Sequence, residues 1–374
     1  MKMKRIIFGI CFAVFLCLAF SLGVSAEEDA KLEGYDESGA DELYDLLGED
    51  AKKILEEFDI DMSEADWVSH LDPESVFKLI TEFFKSGFKK PLLCGGGMLA
   101  VILVMAAANT FDGFKVYNDA VSYVFVLISA AGVLLPLFSL IESCAQAVKG
   151  ISALMLGFVP IYSGMLMLSG QGATASGMSF LLLAAASGVS NFSSFVIVPL
   201  MSCYLGIGLA GSVMPMGGTG RLGELIKKAA MWLFSLTTTI FLGLLSIQTA
   251  VNRAADNLGV KTLKFMIGSF VPVAGGALSD SFTTLLGSVR LLKTSVAMFV
   301  VVGIAVTVLP IVIELLAWRI IIYFTEAAAE LFGVGLKTDI LRAADCVLAV
   351  LLGVMLFTAT LFIISLGVVS GGGG

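Results

Sequence analysis

The sequence predicts an all-α fold: a polytopic helical membrane protein preceded by a small acidic helical region. Three observations carry that reading. The chain is 57% hydrophobic and only 14% charged, with a mean hydropathy of +0.95, whereas a soluble domain carries roughly 25% charged residues. Apolar runs recur from Pro91 onward at about the twenty-residue length that a helix needs to cross hydrocarbon. The acids behind the net charge of −8 are concentrated ahead of those runs.

The first 26 residues are a separate element. MKMKR is basic, IIFGICFAVFLCLAF is apolar, and SLGVSA closes on small residues, with Val24 and Ala26 at the spacing a signal peptidase reads. Residues 1–26 are expected to be a cleavable signal peptide. The apolar run is also long enough for a retained anchor helix, and either reading delivers the next segment outside the cytoplasm.

Residues 27–90 form that acidic extracytoplasmic region. Glu27 to Asp41 reads as a flexible acidic linker. From Leu43 the pattern sharpens: Leu43, Leu46, Leu47, Ile54, Leu55 and Phe58 fit an interrupted amphipathic helix or a helix pair. A second amphipathic helix has Asp72 as its cap and Pro73 in its first turn. Val76, Phe77, Leu79, Ile80, Phe83 and Phe84 are its apolar residues. Such a helix suits a membrane surface, a partner, or the chain's own membrane domain.

Residues 91–370 read as a membrane domain of seven or eight segments, followed by a glycine tail at 371–374. The spans are Pro91–Asn109, Ala120–Ile141, Ile151–Leu168, a stretch from Met178 to Met214, Ala229–Thr249, the Pro272 region, Val296–Ile321 and Val347–Val369. Ser143–Gly150 is expected to be a turn. SGVSNFSSF, inside the long Met178–Met214 stretch, is expected to be another. Lys115 follows the first span, and Arg221, Lys227 and Lys228 form the densest basic loop. The inside bias of Lys and Arg places that loop in the cytoplasm.

A repeat runs through this domain. Shifting the chain by 112 positions lays Lys149 on Lys261, Phe158-Val159-Pro160 on Phe270-Val271-Pro272, and Gly164 on Gly276. Ser169 falls on Ser281 and Ser176 on Ser288, and one deletion brings Pro199 onto Pro310. A duplication over about 145–212 and 257–322 follows. Pro and Gly in matching places of two membrane units predict broken or re-entrant helices lining a path, because unwound backbone cannot face lipid. Kinked, tightly packed helices are the alternative.

The candidate path-lining or structural residues are therefore Pro160, Gly164, Pro272, Gly275 and Gly276, joined by ionisable groups in apolar surroundings. Charges at membrane depth are expensive and tend to face a cavity or one another. Asp280, Arg290 and Lys293 sit among Ser281, Thr283 and Thr284, and on a helix Arg290 and Lys293 share a face. An interfacial loop with snorkelling bases is the alternative. Glu314 and Arg319 form a second candidate pair. Asn191, Asn252 and Glu142 are weaker candidates, and Arg342 and Asp345 lie near an interface.

Much chemistry is excluded. His70 is the only histidine, no CxxC occurs, and the cysteines lie singly in apolar runs. No metal site, disulfide framework or imidazole catalysis is indicated. GxxxxGK[ST], HExxH and GxSxG are absent. The chain is expected to be no enzyme, to hold no cofactor and to bind no nucleic acid. A transport path without an energy motif needs an ion gradient or a separate motor.

FVPVAGGALSDSFTTLLGSVRLLKTSVAMF, Phe270 to Phe299, supported by PLLCGGGMLAVILVM and IELLAWRI, resembles the stage III sporulation protein AE family of endospore-forming bacteria. The likeness covers nearly the whole chain. It implies a place in the mother-cell membrane around the forespore, with the acidic region in the space between the two membranes. It further implies sibling stage III sporulation proteins in a transenvelope channel or secretion-like complex, with a separately encoded ATPase. A self-contained secondary transporter and a non-conducting scaffold remain alternatives. The resemblance supplies no catalytic residue.

Overall fold

The computed structural model describes residues 35–57, 73–109, 118–213, 219–270, 275–332 and 339–370. Among them the fold is all helical. Three short helices come first: α1 (Tyr35–Ser38), α2 (Asp41–Asp45) and α3 (Glu49–Glu57). Long helices follow: α4 (Pro73–Asn109), α5 (Asn118–Leu168), α6 (Gly172–Phe192), α7 (Val198–Val213), α8 (Thr219–Phe270), α9 (Gly275–Leu331) and α10 (Asp339–Ser370). A π-helical stretch, Ser193–Ile197, joins α6 to α7 without a turn.

Among the described residues, five helices are long and apolar enough to cross a membrane, against the seven or eight segments expected. Two expected turns are helix. Ser143–Gly150 lies within the 51-residue α5, because ESCAQAVK is polar yet rich in good helix formers, and polarity alone does not stop a helix. SGVSNFSSF holds the π stretch, which absorbs an extra residue while the chain keeps its direction. The expected break at Pro160 is also absent: α5 continues through Pro136 and Pro160. Each ring removes one backbone hydrogen bond, and the flanking turns hold. Similarly, α4 crosses the expected domain boundary at Pro91 as one helix. Pro272 lies outside the described residues.

Close contacts at small residues give the helix directions. Gly87 lies against Ile313 and the Glu314 backbone, and Gly95 lies against Ile321, so α4 and α9 run parallel with closely approaching backbones. Met98 meets Gly132 across the α4–α5 hairpin. Ser163 meets Ser179 across the α5–α6 hairpin. The pairs Arg319–Asp345 and Glu326–Arg342 run antiparallel along α9 and α10. α10 occupies the centre, packed by α9, α8, α7 and α5. Its Val347, Leu351, Met355 and Phe362 are buried with Phe158 of α5 and with Phe299 and Trp318 of α9.

Part of the expected acidic linker is ordered. Tyr35 and Ala40 are buried, and with Leu43, Leu47, Ala51 and Leu55 they join the core of the long helices. The buried apolar residues of α1–α3 therefore find their partner within the same chain.

Candidate functional site

Among the described residues, a group of buried and half-buried polar side chains lies where α5, α6 and α8 meet. α5 ends at Gly170, whose positive φ of 74° is open to glycine at little cost. Its N–H donates to the Met167 carbonyl at 2.9 Å, and the Gln171 N–H donates to the Leu166 carbonyl at 2.9 Å. This is a Schellman ending. α6 then starts without a side-chain cap from Gln171. Asp256 of α8 supplies one: its carboxylate oxygens accept from the Ala173 N–H at 2.9 Å and the Thr174 N–H at 3.0 Å. The carboxylate also meets the positive end of the α6 dipole.

Asn252 and Gln248 stand one and two turns before Asp256, which puts all three on one side of α8. Both amide nitrogens lie against Gly177, the Asn252 Nδ2 only 2.6 Å from where a Cβ would sit. Gln248 Nε2 donates to Asn252 Oδ1 at 3.3 Å, and the buried Asn252 Nδ2 has no partner. Ser163 and Ser179 extend the polar surface onto the α5–α6 contact. Amides, hydroxyls and one carboxylate thus form a polar seam between membrane-length helices. It contains no nucleophile beside a base. Among the described residues, no group of three or more His, Cys, Asp or Glu could hold a metal.

The residues predicted from sequence are dispersed. Pro160 and Gly164 lie one turn apart on an exposed strip of α5, and nothing approaches Gly164 within 4 Å. Gly275, Gly276 and Asp280 fall in the first turns of α9, and the Asp280 side chain lies outside the described residues. Because α9 is unbroken from Gly275 past Lys293, no turn brings Asp280 back to Arg290. Arg290 is exposed whereas Lys293 is buried. Among the described residues Lys293 has no carboxylate partner.

The expected Glu314–Arg319 pair does not form. Arg319 reaches across to α10, with Nε 2.8 Å from Asp345 Oδ1 and an Nη2 contact of 3.4 Å to Oδ2. Five residues along a helix point two side chains in different directions, whereas a neighbouring helix offers a facing carboxylate. Arg342 pairs with Glu326 at 3.3 Å.

The seam itself escaped the sequence reading except for Asn252. Its signal was Gln248, Asn252 and Asp256 at successive helical turns, within a stretch that looks like a polar connection.

The bundle and its internal polar seam define a multi-pass helical membrane protein. The family model described as stage III sporulation protein AE matches residues 70–373. The chain belongs to that family. It is similar to the stage III sporulation protein AE of Bacillus subtilis (strain 168), 23% identical over 210 residues. That match covers 55% of this chain and 51% of the relative, about half of each. No solved structure matches the chain.

Proposed function

We propose that this membrane protein of the sporulation machinery is a core component of a mother-cell-to-forespore transenvelope channel or secretion-like complex. Sibling stage III sporulation proteins complete the assembly, and a separately encoded ATPase supplies energy. The observation that carries the reading is the seam of Ser163, Ser179, Gln248, Asn252 and Asp256. Buried polar groups are costly in an apolar bundle and persist where they serve a structure or a path. The family match over residues 70–373 supplies the sporulation setting.

A non-conducting scaffold is the second reading. It is favoured by the unbroken helix at Pro160 and by the two backbone bonds that already satisfy Asp256.

Cysteine accessibility scanning in sporulating cells separates the two, using a background that lacks native cysteines. Single cysteines at Ser163, Gly177, Ser179, Gln248 and Asn252 are treated with membrane-impermeant and permeant reagents. Graded labelling along the seam is the outcome expected of a conduit. Protection of all five against the impermeant reagent, with normal accumulation of each variant, would leave the scaffold.

A further inference from the structure

The acidic helices α1–α3 make a contact with the membrane body that the channel reading neither uses nor explains. Leu46 inserts where a Cβ on Gly157 of α5 would sit. Leu47 does the same at Gly303 of α9, its Cδ2 2.9 Å from the Cβ position, with Leu154 closing the other side at 3.3 Å. Two glycines on two different helices thus form sockets for two successive leucines. Leu43 and Leu55 are buried beside them.

The polar bonds of Tyr44 and Lys52 turn inward on the segment. Tyr44 donates to Glu56 at 3.0 Å, and Lys52 pairs with Asp45 and Glu49. These bonds would survive if α1–α3 left the body as a unit, because the seat described here is apolar. Its outer side carries Asp41, Glu42, Asp45, Glu49, Asp50, Glu56 and Glu57, all exposed. Ionised carboxylates are not held in hydrocarbon at such density. The surface of α5 and α9 beneath the segment therefore faces water or protein, although both helices are of membrane length.

We propose that α1–α3 are a detachable latch, seated by Leu46 and Leu47 in the glycine sockets of Gly157 and Gly303 and closing a groove between α5 and α9 that is not lipid-facing. Seated, the latch ties α5 to α9. Released, it exposes a groove with glycine floors, the shape into which an amphipathic helix docks. The latch stands independently of whatever the assembly conducts.

The test uses the full chain in membranes, with native cysteines replaced and one reporter, Ala51→Cys. Ala51 is 4% exposed in the seated segment. An impermeant maleimide is applied after gentle permeabilisation, so that it reaches both faces. Labelling should be slow in the parent. It should be about tenfold faster or more in Gly303→Leu, which fills a socket, and in Leu46→Ala/Leu47→Ala, which removes the knobs. The knob variant leaves α5 and α9 untouched, so it remains informative if Gly303→Leu fails to accumulate. Gly164→Leu, in open space, should label like the parent. Oxidation should cross-link Leu46→Cys to Gly157→Cys. Equal labelling rates in parent and knob variant, whether fast or slow, would overturn the latch, and so would failure of the cross-link.

Discussion

Asp256 joins α8 to α6 through two hydrogen bonds, because it caps a helix that its own hairpin leaves uncapped. Losing a cap costs about 1 kcal/mol, and a charged acceptor raises the figure to roughly 2 kcal/mol. Asp256→Ala should therefore lower unfolding stability in detergent by about that amount, while Asp256→Asn keeps an acceptor oxygen and loses less. Two basic residues of α9 should respond in opposite ways. Arg319 is paired, so Arg319→Met leaves the partly exposed Asp345 without it and should destabilise by about 1 kcal/mol. Lys293 is buried and has no carboxylate partner among the described residues, so Lys293→Met removes a desolvation cost and should raise the melting temperature. If the charge is retained for function, the same variant should reduce sporulation in complementation assays. A fall in melting temperature would instead make Lys293 a structural residue.

At the scale of elements, the clearest prediction concerns Pro160. Its ring leaves the Leu156 carbonyl without a donor inside α5. Pro160→Ala restores that bond and should stabilise the chain by up to about 3 kcal/mol. Destabilisation would point to a break that the alanine cannot follow. The same residue shows why the elements were only partly legible. Hydrophobicity marked where helices lie, and Pro73 marked where α4 begins. Polar residues and prolines were poor guides to where helices stop, because Glu142–Lys149 and Pro160 continue the α5 hydrogen-bond ladder with small losses. The seam was harder still. A serine on α5 meets a serine on α6, and Asp256 reaches backbone groups more than eighty positions earlier, so only the packed helices bring them together.

On the scale of the whole molecule, direction is the testable quantity. α4 and α9 run one way, α5, α8 and α10 the other, and α6 with α7 returns along the first. Five of these passes are long and apolar enough to cross a membrane; if α8 crosses as well, six alternating passes put the end of α10 on the same side as the start of α4. With the acidic helices outside, Arg221 and Lys228, near the start of α8, then fall toward the inner side, in keeping with the bias of basic residues. A phosphatase fused after Gly374 should be active and a fluorescent reporter that matures only in the cytoplasm dark. The reverse result would require an odd number of crossings.

α9 holds 57 residues without interruption, about 85 Å at the α-helical rise. A hydrocarbon layer of about 30 Å hides little more than a third of a straight rod that long. If the helix crosses that layer once, the rest of its length projects beyond it, and a tilt of a few degrees swings the far end through several ångströms. α4, packed parallel through Gly87 and Gly95, would share that swing, and the pair would act as a lever whose fulcrum is the membrane itself.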